Sequence, residues 1–275
     1  MWLLWWMACG SGHEATLRSA PPSTVQDTVV TSPTRPDRPR DTGTGSADTD
    51  PPSDTSPATH AETSDTGVYD GPCPVGMVLI DDLFCIDRYE ASIEGHSPYE
   101  IPGVGEGAAI SVEGVAPQGY ISGTAAQAAC ELAGKRLCMV DEWLRACQGP
   151  DGWVYPYGNT YNPDACNTSC AQHPIVSYWG SDPNRWDSDH MNDPGINQQP
   201  GTLDPTGGNP DCVSHEGVYD LHGNLHEWIA DPNGTFKGGF YADASINGSG
   251  CFYATTAHSF DYHDYSTGFR CCADL

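Results

Sequence analysis

Positive charge is what this chain has least of: 11 Lys plus Arg stand against 37 Asp plus Glu, for a formal net charge of −26. No clustered basic stripe exists, so the counterion release that drives phosphate binding is unavailable and nucleic acid is excluded as a partner. The same acidity opposes adsorption to anionic lipid headgroups. Long apolar runs are also missing. The only such run, Met1-Trp-Leu-Leu-Trp-Trp-Met-Ala-Cys9, is far short of the about 20 residues a membrane-spanning helix needs. Between Gly10 and Asp70 large apolar side chains are scarce, and Pro, Thr, Ser, Asp and Gly dominate. Such a composition cannot offset chain entropy, so residues 10–70 are expected to form a disordered linker.

The apolar start therefore reads as an export signal. Ala8-Cys9 resembles a bacterial lipobox, which makes Cys9 the expected lipidation site. No basic residue precedes the run and Trp6 stands where Leu is usual, so an ordinary secretory signal is the alternative. Either reading implies export. The expected organisation is a signal or lipobox over 1–9, the linker over 10–70 and one domain over 71–275. The expected location is the bacterial cell envelope, with membrane contact only through the lipid anchor.

Cysteine is what the chain has in abundance, with 12 in all, and in an exported protein these read as a disulfide framework. With Cys9 lipidated, an odd number remains. Cys73 and Cys85 flank a strand-like run with Asp81-Asp82 at its centre, which predicts a hairpin closed by a bridge. Helices are expected from Ala125 to Leu132, capped by Thr124 and stopped by Gly134, and from about Asp141 to Cys147 with Trp143, Leu144 and Cys147 on one face. The rest reads as short strands and Gly-, Pro- and Asn-rich turns.

Three motifs near the end are ordered as Gly217-Val-Tyr-Asp-Leu-His-Gly-Asn-Leu-His-Glu-Trp228, Lys237-Gly-Gly-Phe-Tyr241 and Thr267-Gly-Phe-Arg-Cys-Cys272. Upstream stand Cys73-Pro-Val-Gly-Met-Val78, Leu132-Ala-Gly-Lys-Arg-Leu137, Asp141-Glu-Trp143 and Tyr155-Pro-Tyr-Gly-Asn159. Together they resemble the sulfatase-modifying-factor family, the domain of formylglycine-generating enzyme. The resemblance implies an α+β, C-type-lectin-like domain with little regular secondary structure and many disulfides. It also implies a Cys130–Cys271 bridge. Cys147 matches a family half-cystine whose partner position, near Thr256, is not Cys here, which leaves Cys251 and Cys272 as candidate partners. The pairing of Cys138, Cys166, Cys170 and Cys212 is open.

The family's enzymes hold copper(I) between two thiolates that follow Gly-Gly, a pairing soft ligands favour. Cys251 aligns with the second thiolate and is the one candidate catalytic residue. The first falls on Asp243 or Ile246, and neither supplies a thiolate. The groove differs as well: His226 replaces a Trp, Phe240 a Ser, and His258 or Ser259 an Arg. Copper is therefore not expected. Cys251, His258 and His263 could instead rebuild another metal site, although a half-cystine is the expected fate of Cys251.

Calcium is expected from the resemblance, at Asp220, Gly223, Leu225 and Glu227, and with less definition at Asn167, Thr168, Asp193 and Ile196, because hard cations take oxygen ligands in loops. His222 and His226 are four apart, but Gly223-Asn224 breaks the helix that a paired metal site would need. Two function classes follow. The first is a calcium-stabilised, non-catalytic module binding an envelope or extracellular protein, a peptide or a glycan. The second is a metal-dependent oxidase acting on Cys of a protein substrate.

Overall fold

The computed structural model describes residues 71–256 and 258–275. The expected signal, Cys9 and the linker lie outside the described residues. No helix among those described is long and apolar enough to cross a membrane.

Regular structure begins with the predicted hairpin, β1 (Met77–Ile80) and β2 (Phe84–Asp87). Asp81 and Asp82 both take positive φ, 52° and 57°, as a tight primed turn requires. Cys73 and Cys85 are bonded beside it. A second strand pair, β3 (Ala91–Ile93) and β4 (Ala109–Ser111), is joined by a long loop and turns Ala91, Ile93 and Ala109 inward.

Helix α1 spans Gly123–Leu132. Its N-cap is Ser122, whose Oγ accepts from the Ala125 amide, and not Thr124, which bonds Asp261 instead. Ser122 sits at the spacing from which a hydroxyl reaches the third helical amide, and Gly123 at the first helical position lets the Phe260 ring lie against it. A Cβ there would fall 2.3 Å from that ring. Gly134 ends the helix in the left-handed region, φ 69°, as predicted. The buried face of α1 is Ala125, Ala126, Ala129 and Cys130, packed on Ile121, Leu137 and Phe269. Small side chains allow that close approach.

Strand β5 (Arg136–Leu137) leads into α2 (Val140–Gln148), which buries Trp143, Ala146 and Cys147 with Leu144 packed alongside. Short helices α3 (Pro174–Trp179) and α4 (Ser188–Met191) interrupt a long irregular region. The C-terminal third supplies β6 (His226–Trp228), β7 (Phe236–Lys237), β8 (Ala254–Thr255), β9 (Thr267–Phe269) and β10 (Cys271–Asp274). One sheet runs β1-β2-β10-β5 and another β8-β7-β6-β9, with β6 and β9 parallel. The last strand thus closes the first sheet against the first hairpin.

Five disulfides staple these elements: Cys73–Cys85, Cys130–Cys271, Cys138–Cys272, Cys147–Cys251 and Cys166–Cys212. The adjacent Cys271 and Cys272 point to opposite faces of β10 and reach α1 and the β5–α2 junction respectively. Cys170 takes part in none of the five.

Candidate functional site

Three segments converge where the motifs gather: the Gly217–Trp228 turn, the Gly238-Gly239 turn after β7, and the Cys251 turn. Their centre is a buried charge network. Arg270, fully buried, donates through Nε and Nη2 to both oxygens of Glu227, each at 2.6 Å. The Trp143 indole N–H donates to the same carboxylate at 2.6 Å. The remaining Arg270 N–H groups reach the carbonyls of Asp87 and Tyr219. Two further buried carboxylates face this ion. Glu90 accepts from Asn224 Nδ2 at 2.5 Å and from the Leu225 amide at 3.0 Å, and Asp220 accepts from the Gly207 amide at 2.7 Å. Burial, then the neighbouring Asp220 and Glu227 charges, raises the Glu90 pKa well above the carboxylate norm. Asp220 is raised to about 6, again chiefly by burial.

The calcium expectation can be tested against this donor set. Glu227, its main carboxylate, has both oxygens committed to Arg270 and Trp143. Asp220 is turned to the Gly207 amide. A guanidinium already supplies the positive charge. The carboxylate expected to hold calcium is thus held by a guanidinium. In the second expected set the Ile196 amide donates to the Asp193 carbonyl at 3.1 Å, while Asn167 and Thr168 bond elsewhere. Asn167 donates to the Thr202 carbonyl and Asn224, Thr168 meets Tyr161, and Asp193 accepts from the Gly195 amide while its carbonyl receives the Tyr120 hydroxyl. The Ile196 carbonyl receives Gln199. Among the described residues no group of three His, Cys, Asp or Glu is arranged to hold a metal.

Cys251 is not a thiolate. Its sulfur lies 2.05 Å from that of Cys147, and its backbone N–H is tied to the Val154 carbonyl. The bond that Cys147 lacked a partner for is therefore made to Cys251, which removes the remaining thiolate of a copper site. His258 is stacked on Tyr262 with ring centroids 3.7 Å apart, and His263 Nδ1 meets Asn192 at 2.8 Å. Neither approaches Cys251 in a ligand set.

The expected groove residues do not line an open groove. His226 and Phe240 are each only 7% exposed. His226 is enclosed by Phe236, Phe240 and Tyr253, with centroids 5.1, 4.8 and 5.5 Å away. An aromatic ring at 240 fills the space that a smaller side chain would leave open. Only His258 of the three is at the surface.

Burial pushes the His226 pKa down to about 3, so the ring is neutral. Its tautomer follows from its neighbours. Ser266 Oγ gives its hydrogen to Asp264 at 2.7 Å, so Nδ1 must donate to Ser266 Oγ at 3.2 Å. Nε2 lies 3.1 Å from Tyr253 OH, whose one hydrogen is also within reach of Asp243 Oδ2 at 3.3 Å. A hydrogen-bonded line from Tyr253 to Asp264 locks the ring.

Lys237, on β7, is a residue whose role the sequence did not show. It is only 4% exposed and its ammonium lies 5.2 Å above the Trp143 ring. Desolvation lowers its pKa to about 8. Arg270 and Glu90 were also missed as partners. Arg270 stands within a recognised motif, but nothing in a sequence tells that its guanidinium pairs with Glu227.

Comparison with known proteins agrees with the motifs. Residues 88–275 match the family model described as the sulfatase-modifying factor enzyme 1-like domain. The structure of PvdO from Pseudomonas aeruginosa is similar at 16% identity and a TM-score of 0.45, covering 70% of this chain and 80% of that one. The U1 and I1 variants of the Major Tropism Determinant are similar at 16% and 13% identity, each with a TM-score of 0.42. Those matches cover 74% of this chain but only 54% and 53% of theirs, so the chain spans little more than half their length. The family match covers well over half of the sequence and carries the disulfide-rich, α+β, C-type-lectin-like fold class: this chain belongs to the sulfatase-modifying factor family, whose domain is that of formylglycine-generating enzyme.

Proposed function

We propose that this chain is an exported, non-catalytic binding module that keeps the family's scaffold without its oxidase chemistry. The observation that carries this is the Cys147–Cys251 disulfide, which occupies the one thiolate position the sequence retained. A two-thiolate copper site needs reduced sulfur on both sides, and here neither is offered. The filled space around His226 and Phe240 supports the same reading, because a peptide cannot be drawn past rings that are already packed. Five disulfides support export, since such frameworks persist in oxidising compartments. Attachment by lipid at Cys9, with the linker as tether, is the arrangement we propose for the envelope. Its partner is a protein or peptide of that compartment.

The test is mass-spectrometric disulfide mapping of the non-reduced protein, with anaerobic Cu(I) titration on the same sample. The expected outcome is a Cys147–Cys251 cross-linked peptide and no stoichiometric Cu(I) binding. A free Cys251 thiol that binds one Cu(I), followed by oxygen-dependent oxidation of a Cys-containing peptide, would establish the oxidase instead.

A further inference from the structure

A cavity of about 270 Å³ opens between α3 and the turn at residues 199–202. Pro174 and Thr202 are buried in its floor, and Gln172, Ser177 and Pro200 stand exposed around its rim. The walls are fixed. Gln199 Nε2 donates to the carbonyls of Pro174 and Ile196, at 3.1 and 3.0 Å, which ties the turn to the start of α3. Thr202 Oγ1 donates to the Gln199 carbonyl at 2.7 Å, and the Thr202 carbonyl accepts from Asn167 at 2.8 Å. Two rigid proline rings complete the frame, so little ordering is left to be done on binding.

The chemistry of the wall selects its occupant. Gln199 spends both amide hydrogens on that frame and keeps Oε1 as an acceptor, while Thr202 spends its one hydrogen and keeps oxygen lone pairs. Ser177 and Gln172 add a hydroxyl and an amide at the rim that give or take a hydrogen. Among the described residues, no ionisable side chain but the Cys170 thiol lines the cavity. An anion would find no cation there and would meet a chain of net charge −26. An ammonium would leave water with no carboxylate to replace it. A wholly apolar group would strand the Gln199 and Thr202 oxygens. What fits is an uncharged ring with hydroxyl donors at its edge and C–H faces toward the Pro174 and Pro200 rings. The volume lies below the range of pockets that enclose drug-sized ligands, so one such ring is the limit.

We propose that this cavity binds one uncharged monosaccharide unit, with Gln199 Oε1 and Thr202 Oγ1 accepting from its hydroxyls. Such a site adds a ligand class to the protein-binding role above and does not rest on it, because the Cys147–Cys251 bridge and the rings packed on His226 lie outside its walls.

The experiment is saturation-transfer NMR on the disulfide-intact chain with glucose, galactose, mannose and N-acetylglucosamine, each titrated into the millimolar range, beside glucuronate and glucose 6-phosphate. Saturable transfer to at least one neutral sugar is expected, and none to the charged pair. Ser177→Tyr and, independently, Gln172→Trp bring a ring to the cavity from exposed positions, and each should weaken binding roughly tenfold or more. Leu83→Tyr, at an exposed site on the β1–β2 turn, should leave it unchanged. Melting temperatures equal to the parent's confirm that the variants fold. Methyl glycosides of the bound sugar separate two sources: equal binding assigns the end of a glycan chain, and loss assigns a free sugar. No saturable transfer from any of the four neutral sugars overturns the proposal. So do equal transfer to glucuronate, undiminished binding by both rim variants, and an equal loss in Leu83→Tyr. Tighter binding of N-acetylasparagine amide than of every sugar would assign the cavity to a peptide side chain and overturn it as well.

Discussion

Arg270 carries the largest consequence of any single residue. A buried guanidinium pairs with the buried Glu227 and faces Glu90 and Asp220, and removing it leaves the Glu227 charge unpaired in a medium of low dielectric. Arg270→Met should destabilise the domain by roughly 3–5 kcal/mol or prevent folding, whereas Arg270→Lys should be only partly tolerated because it loses the bidentate contact. Denaturant melts of the two variants check this. Lys237 gives the opposite kind of test. Its folded pKa of about 8 lies below the ordinary lysine value of 10.5, so the unfolded chain binds the extra proton between those values. The cost of burying the ammonium is thus fully present below pH 8 and is relieved as pH rises above it. Lys237→Met should raise stability at pH 7, and its advantage over the parent should shrink steadily from pH 8 upward. An advantage that stayed constant with pH would show that the ammonium is not desolvated.

At the level of elements, helix α1 separates two readings of its start. Ser122→Ala removes the cap to the Ala125 amide and should cost about 1 kcal/mol. Thr124→Ala breaks only an exposed contact to Asp261 and should cost less, so thermal melts of the pair rank them. The helix itself was legible from its Ala-rich periodicity and from Gly134. The cap was not, because Ser122 and Thr124 are both good capping residues, and only the position of Phe260 against Gly123 decides where the first turn begins. The β1–β2 hairpin was legible for a local reason: its turn, its strands and its cysteines all lie within a short stretch of chain.

For the whole molecule, five disulfides among the described residues and the Arg270 network tie distant elements together. Chelation with EDTA should leave the melting temperature unchanged, and a fall of several degrees would restore a structural cation. Reduction should act strongly by contrast. The Cys130–Cys271 bridge alone closes a loop of 141 residues, worth about 5 kcal/mol in the chain-entropy model. Calorimetry with chelator and with reductant, run side by side, separates the two sources of stability.

What the sequence determined by itself is what local pattern and motif order encode. These are the acidic character, the family and its fold class, the two main helices, the first hairpin, and the absence of a second copper thiolate. What the tertiary structure decided depends on which distant side chains meet. Cys147 found Cys251 because α2 and the turn after the Gly-Gly motif pack together, and a sequence separation of 104 residues carries no sign of that. Glu227 met Arg270 because β6 and β9 pair in parallel, with Trp228 opposite Phe269, which brings the residue after β9 beside the carboxylate. His226 and Phe240 became core because neighbouring rings close over them. Composition and spacing show which groups are available, but whether a carboxylate holds an ion or an arginine depends on what the chain folds against it.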